Sequence, residues 1–117
     1  MAARERLICA ASALLDGGPG VRFEISEAGR STPVPAFVVR WKGSVHGYLN
    51  RCGHIPVELD WQHGEFFDVS RQYLMCATHG ALYDPATGAC LGGRCEGRGL
   101  TPWPVFERQG NVYCEEN

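Results

Sequence analysis

Cys52-Gly53-His54, answered downstream by Cys76-Ala77-Thr78-His79, is the stretch on which the reading of this chain turns. Each half offers one sulfur and one imidazole, separated by only one or two residues. The segment between them, residues 55–75, is long enough to loop out and return but too short for a separate domain. Two Cys/His pairs delivered by two loops supply the mixed sulfur and nitrogen donors of a metal centre.

Outward from these loops the sequence reads as short β-rich runs separated by turn signals, with little helical periodicity. Val21, Phe23 and Ile25 alternate with Arg22 and Glu24, the pattern of a half-buried strand. Pro33 and Pro35 interrupt, since proline donates nothing to a ladder. Ala36–Trp41 and Val45–Leu49 form a hairpin around Lys42-Gly43-Ser44, which leads the chain into Cys52. Tyr73-Leu74-Met75 runs as a strand into Cys76. Asp84-Pro85-Ala86-Thr87-Gly88 is a turn, with Gly88 suited to a left-handed backbone. Leu100–Phe106 and Val112–Cys114 close the chain around Gln109-Gly110-Asn111. Residues 55–70 read as a short helix or an irregular flap, with Glu58, Asp60, Glu65 and Asp68 forming a solvated face. The start, Met1–Leu15, reads as a first strand, with a secretory signal as the lesser reading.

At 117 residues the chain has the length of one domain. A formal charge of −2, from 11 basic and 13 acidic residues without long runs of either sign, argues against nucleic-acid binding through phosphates. No apolar run is long enough to cross a bilayer, so no membrane partner is expected. Six cysteines are many for this length. Cys9 and Cys114 lie in apolar runs, where a thiol acts as a small hydrophobe. Cys90 and Cys95 are close enough to pair, yet the lack of a convincing export signal favours the cytoplasm and reduced thiols.

The pattern C-x-H … C-x-x-H-G resembles the Rieske family. Gly80 follows His79, Tyr83 and Asp84 stand at the family's spacing, and a turn ending in Thr87-Gly88 comes next. The small size and the closing Pro104-Val105 … Gly110-Asn111-Val112-Tyr113 are similar to Rieske-type ferredoxins. The resemblance implies an all-β fold, with an antiparallel β-sandwich or barrel base (residues 1–49 and 99–117) and a smaller inserted cluster-binding subdomain (about 50–98). It implies a [2Fe–2S] cluster with Cys52 and Cys76 on one iron, His54 and His79 on the other. Two neutral imidazoles in place of thiolates lower the negative charge of such a centre and raise its potential. The resemblance implies no catalysis by the chain itself, but one-electron transfer from a flavoprotein reductase to a terminal oxygenase.

Where high-potential members of the family carry an extra cysteine in each loop and a serine, this chain has Val57, Thr78 and Ala81. Fewer donors to the cluster point to the low end of the Rieske range, on the order of −150 mV. Arg94 replaces a common proline in the third loop. Gly53, Gly80, Gly92 and Gly93 let backbone amides approach the sulfurs or serve only as turn residues. His46 and His63 have no cysteine neighbour at ligand spacing, and Trp41, Trp61 and Trp103 read as packing residues. Two other functions stay open on the sequence alone. One is a small Rieske subunit of a larger reductase such as nitrite reductase. The other is a zinc-stabilised interaction module, disfavoured because each Cys/His knuckle is mixed.

Overall fold

A computed structural model describes residues 4–26, 33–51, 58–60, 62, 64–76, 80–93 and 98–116. Its strands, in chain order, are β1 (Arg4–Ala10), β2 (Val21–Ile25), β3 (Val34–Trp41), β4 (Ser44–Leu49), β5 (Leu74–Met75), β6 (Leu82–Tyr83), β7 (Cys90–Gly92), β8 (Pro102–Trp103), β9 (Val105–Arg108) and β10 (Asn111–Glu116). They form three antiparallel sheets, ordered β1-β10-β9, β2-β3-β4-β8 and β5-β6-β7. The architecture is all-β, as the strand and turn pattern predicts.

The four-stranded sheet is the middle layer, and β3 shows why. Ala36, Phe37, Val38 and Val39 are all fully buried, so this strand is apolar on both faces rather than alternating. Side chains two apart share a face. Phe37 and Val39 join Tyr48, Leu59, Phe66, Leu74, Cys76, Ala81, Tyr83 and Leu100 in the core beneath the small sheet. Val38 points the other way, with Leu14 and Val112, against the β1-β10-β9 sheet. Ala36 shares that second side and packs with Ile25, Val34 and Leu49. A Phe37–Phe66 stack, centroids 3.9 Å apart and planes 10° from parallel, joins the middle layer to the segment leading into β5.

Two hairpins turn where the sequence places them. Lys42 and Gly43 have φ of 50° and 84°, and Gln109 and Gly110 have 52° and 81°, the positive pair of a type I′ turn. Two expectations are corrected and one open alternative is decided. The first strand stops at Ala10 and continues as a 3-10 turn, Ala11–Ala13, rather than running to Leu15. β3 begins at Val34 and takes in Pro35, whose carbonyl accepts from Asn50 N at 2.8 Å. Within the described part of residues 55–70 the chain is irregular, not helical, and Phe67 makes an isolated bridge to Leu74.

Arg40, on β3, ties the layers together from the edge. Its guanidinium grips Glu107 of β9 through two bonds of 2.8 and 2.7 Å, and also donates to the carbonyls of Leu14, Gly43 and Ala11. The hydrogen bond from Arg40 pulls the Glu107 carboxyl below its ordinary pKa.

Candidate metal centre

Of the four expected ligands, Cys76 is described; Cys52, His54 and His79 lie outside the described residues. Cys76 follows β5 directly, is fully buried, and is not in a disulfide. Its backbone closes a tight loop: Cys76 N donates to Ala81 O at 2.9 Å, and Gly80 N donates to Cys76 O at 2.7 Å. Gly80 takes φ of 71°, a conformation that glycine reaches without a Cβ penalty. These bonds bring Cys76 and Gly80-Ala81 together between β5 and β6. Tyr83 pairs with Leu74 across that hairpin and is buried in the same cluster as Cys76. Among the described residues, no three Cys, His, Asp or Glu side chains converge as a metal cage.

Two buried polar side chains flank the first loop in the chain. Asn50, 2% exposed, lies just before Arg51-Cys52; Asp60, 4% exposed, lies just beyond that loop. Asn50 Nδ2 donates to Asp60 Oδ1 at 3.0 Å, while Asn50 Oδ1 accepts from Leu59 N at 2.9 Å. Asp60 Oδ2 accepts from Gly64 N at 3.0 Å, and Arg22 Nε stands 3.6 Å from it. Arg22 also pairs with Glu58. The buried carboxylate is thus matched by two donors and a nearby cation, the condition under which burying a charge is tolerable. This overturns the expectation of a solvated acidic face at Asp60; Glu58 and Glu65 are exposed and Asp68 is half-buried. Nothing local in the sequence marks Asp60, since its partners lie four, ten and 38 positions away.

The turn linking β6 and β7 is held by its own residues. Gly88 N donates to Asp84 O at 2.7 Å and Ala86 N to Asp84 Oδ1 at 2.8 Å. Gly88 takes φ of 79°, as its position predicts, and Tyr48 donates from its hydroxyl to Pro85 O at 2.7 Å. Burial, with a contribution from the Asp84 charge, raises the Tyr48 hydroxyl far above the ordinary tyrosine pKa, so it remains a donor. Beyond β7, Gly93 (φ 81°) passes so close to the ligand-bearing turn that a Cβ there would lie 2.8 Å from Ala81 Cα and 3.0 Å from Gly80 O.

The other sequence-marked residues fall outside the centre or outside the described set. His46 is half-buried on β4, and burial lowers its pKa. Trp41 packs beneath Lys42 Nζ at 4.5 Å, and Trp103 Nε1 donates to Glu115 O at 2.8 Å. Gly53, Val57, Trp61, His63, Thr78, Arg94 and Cys95 lie outside the described residues. The expectation of reduced thiols throughout is corrected at Cys90, which is disulfide-bonded. Cys9 and Cys114 carry no disulfide, and burial raises the Cys9 thiol pKa.

No curated protein sequence matches the chain. Among solved structures, it is similar to the Sphingomonas yanoikuyae B1 ferredoxin, with 22% identity and a TM-score of 0.69 over 97% of this chain and 100% of that one. The ferredoxin of carbazole 1,9a-dioxygenase from Nocardioides aromaticivorans IC177 matches with 20% identity and a TM-score of 0.70, over 97% and 98% of the two chains. A complex of reduced oxygenase and oxidized ferredoxin in carbazole 1,9a-dioxygenase contains a chain that matches with 21% identity and a TM-score of 0.70, over 95% of this chain and 92% of that one. At these identities the likeness is one of fold. The family described as Rieske [2Fe-2S] domain matches residues 6–114, nearly the whole chain, which sets aside the zinc-module reading. The chain belongs to the Rieske [2Fe-2S] domain family.

Proposed function

We propose that the chain is a one-electron carrier, holding its [2Fe–2S] cluster through Cys52 and Cys76 on one iron and His54 and His79 on the other. The observation that carries this reading is the closed turn at Cys76. A buried sulfur that no disulfide consumes sits at its foot, and His79 follows three residues later in the sequence. A sulfur and an imidazole three residues apart in the sequence suit an asymmetric sulfur and nitrogen donor set. When bound, the cluster supplies one reversible electron at a potential raised by its neutral ligands.

The chain's own described residues bracket the loops. The Asn50–Asp60 bridge spans the ends of the first loop, the Cys76–Ala81 bonds those of the second, and Gly93 lies against Gly80 and Ala81. We divide the chain into a base, residues 1–49 and 99–117, and a cluster-bearing insertion, about 50–98. The donor in this reading is a flavoprotein reductase and the acceptor a terminal oxygenase. Ferredoxins of similar fold belong to carbazole 1,9a-dioxygenase and occur in complex with its oxygenase, which supports that acceptor class.

We also place the protein in the cytoplasm. No described helix is long and apolar enough to cross a membrane. The Cys90 disulfide pulls the other way, because cytosolic thiols are kept reduced, so cell fractionation is the check on this placement. The function is tested by stopped-flow with purified partners. A flavoprotein reductase should bleach the visible bands of the protein within one-electron stoichiometry, and an oxygenase should restore them while its substrate is turned over. Turnover that proceeds at the same rate without this protein would refute the carrier role.

A further inference from the structure

A left-handed backbone is costly for an L side chain and gathers where function or tight packing demands it. Among the described residues other than glycine, Lys42, Arg71 and Gln109 adopt it, with φ of 50°, 61° and 52°. Lys42 and Arg71, far apart in sequence, line one surface depression of about 360 Å³ together with Asp16, Trp41, Ser70 and Gln72. Type I′ turns ordinarily place Asn, Asp or Gly where Lys42 stands, and the backbone of Arg71 suits glycine. We propose that this depression is a docking site for an acidic segment of a partner protein, with Lys42 and Arg71 meeting its carboxylates.

Exposed cations on mobile side chains contribute little to recognition, because binding must first order them. Both cations here are held in advance. Lys42 Nζ lies 4.5 Å from the centre of the Trp41 ring, a cation–π contact. Arg71 donates from Nη1 to Gly17 O at 3.0 Å, and its amide donates to Asp68 O at 3.0 Å. Gln72 N donates to Ser70 Oγ at 3.2 Å, which fixes the chain on either side of Arg71. The carboxylate in the lining, Asp16, accepts from Gly43 N at 3.0 Å. Two cations against one carboxylate leave the depression positive in a chain whose formal charge is −2. An open depression with cations from two separate loops suits successive acidic side chains of a peptide better than one enclosed anion. Its place also fits a docking role. Lys42 and Gly43 turn the β3–β4 hairpin at the end away from Asn50, and Arg71 lies in the turn that joins Phe67 to Leu74, at the end away from Cys76. A protein seated there leaves the ligand-bearing turn uncovered.

The probe is an acetylated, amidated hexaglutamate peptide, titrated at low salt into isotope-labelled holoprotein and followed by amide and indole NMR shifts. The Trp41 indole and the Lys42, Gly43, Arg71 and Gln72 amides should shift together and saturate, and the affinity should fall as salt is raised. Acetate at a matched carboxylate concentration should leave them nearly unmoved. Shifts scattered over other residues, equal shifts with acetate, or equal binding of a hexalysine peptide would overturn the proposal.

Substitutions separate docking from a merely structural role. Lys42→Asn and Arg71→Asn remove the charge but keep a residue that tolerates the left-handed backbone, so Tm should stay close to wild type. Each should weaken peptide binding roughly fivefold, the upper end for one exposed ion pair, while Lys42→Arg should bind as wild type does. Gln109→Asn, left-handed but outside the depression, is the control. If Arg71→Asn folds poorly, the three remaining variants carry the comparison. Binding unchanged in Lys42→Asn, or weakened as much in Lys42→Arg or Gln109→Asn, would refute the docking site.

Discussion

The middle sheet and the small sheet solve the same problem by different means. In the middle sheet β2, β3 and β4 are five to eight residues long, fully laddered, and buried on both faces at Ala36–Val39. The small sheet has strands of two or three residues, yet it carries the turn that ends in the expected ligand pair. Its order comes from groups outside the ladder: the core below, the Asn50–Asp60 bridge beside it, the Asp84 turn, and a disulfide at Cys90. A sheet this short is held by packing and by bonds outside its own ladder.

The sharpest way to break this division is at the joint between the two sheets. Phe37→Ala removes the stack on Phe66 and opens a cavity between the layers, a change that costs about 3–5 kcal/mol in comparable cores. Denaturant unfolding should show one transition shifted as a whole, because both sheets share that core. Two transitions, with only the small sheet lost early, would separate the layers energetically.

A smaller effect is expected at the Asn50–Asp60 bridge. Asp60→Ala leaves Asn50 Nδ2 and the Gly64 amide buried without their acceptor, at a cost of roughly 1–3 kcal/mol. Amide exchange should quicken at Leu59 and Gly64 while β3 and β10 keep their protection. Asp60→Asn, which retains an acceptor oxygen, should recover part of the loss. Exchange that quickens evenly across the chain would make the bridge a general stabiliser rather than a loop closure.

The smallest effect belongs to the far edge. The hydrogen bond from Arg40 lowers the Glu107 pKa, so the pair stabilises the fold above the ordinary glutamate range and ceases to as pH falls through the lowered value. Burial lowers His46 in the same sense: its neutral form is favoured in the fold, and stability falls as pH drops below the ordinary histidine range. Tm should decline on acidification, and the gap between wild type and Glu107→Gln should be widest near neutrality and close in acid. A gap that does not change with pH would remove the pair from the account.

The same comparison explains what the sequence discloses. The hairpins at Lys42-Gly43 and Gln109-Gly110 and the left-handed Gly88 are local, and their residue types state their geometry. The paired Cys/His motifs are local too, and they name the chemistry before any coordinates. Asp60 is different, because four acidic residues in one stretch look alike until distant Asn50 and Arg22 single one out. Phe66 likewise becomes a core residue only through Phe37, on another strand. The bond at Cys90 has no local mark, because a bonded cysteine and a free one read alike in sequence.

The most direct measurement is Mössbauer spectroscopy of natively purified protein, alongside iron, zinc and acid-labile sulfide analysis. The account predicts two irons and two sulfides per chain, with two unlike iron sites, one of them localising the ferrous charge on reduction. Zinc alone, or iron whose two sites are indistinguishable in both redox states, would contradict it.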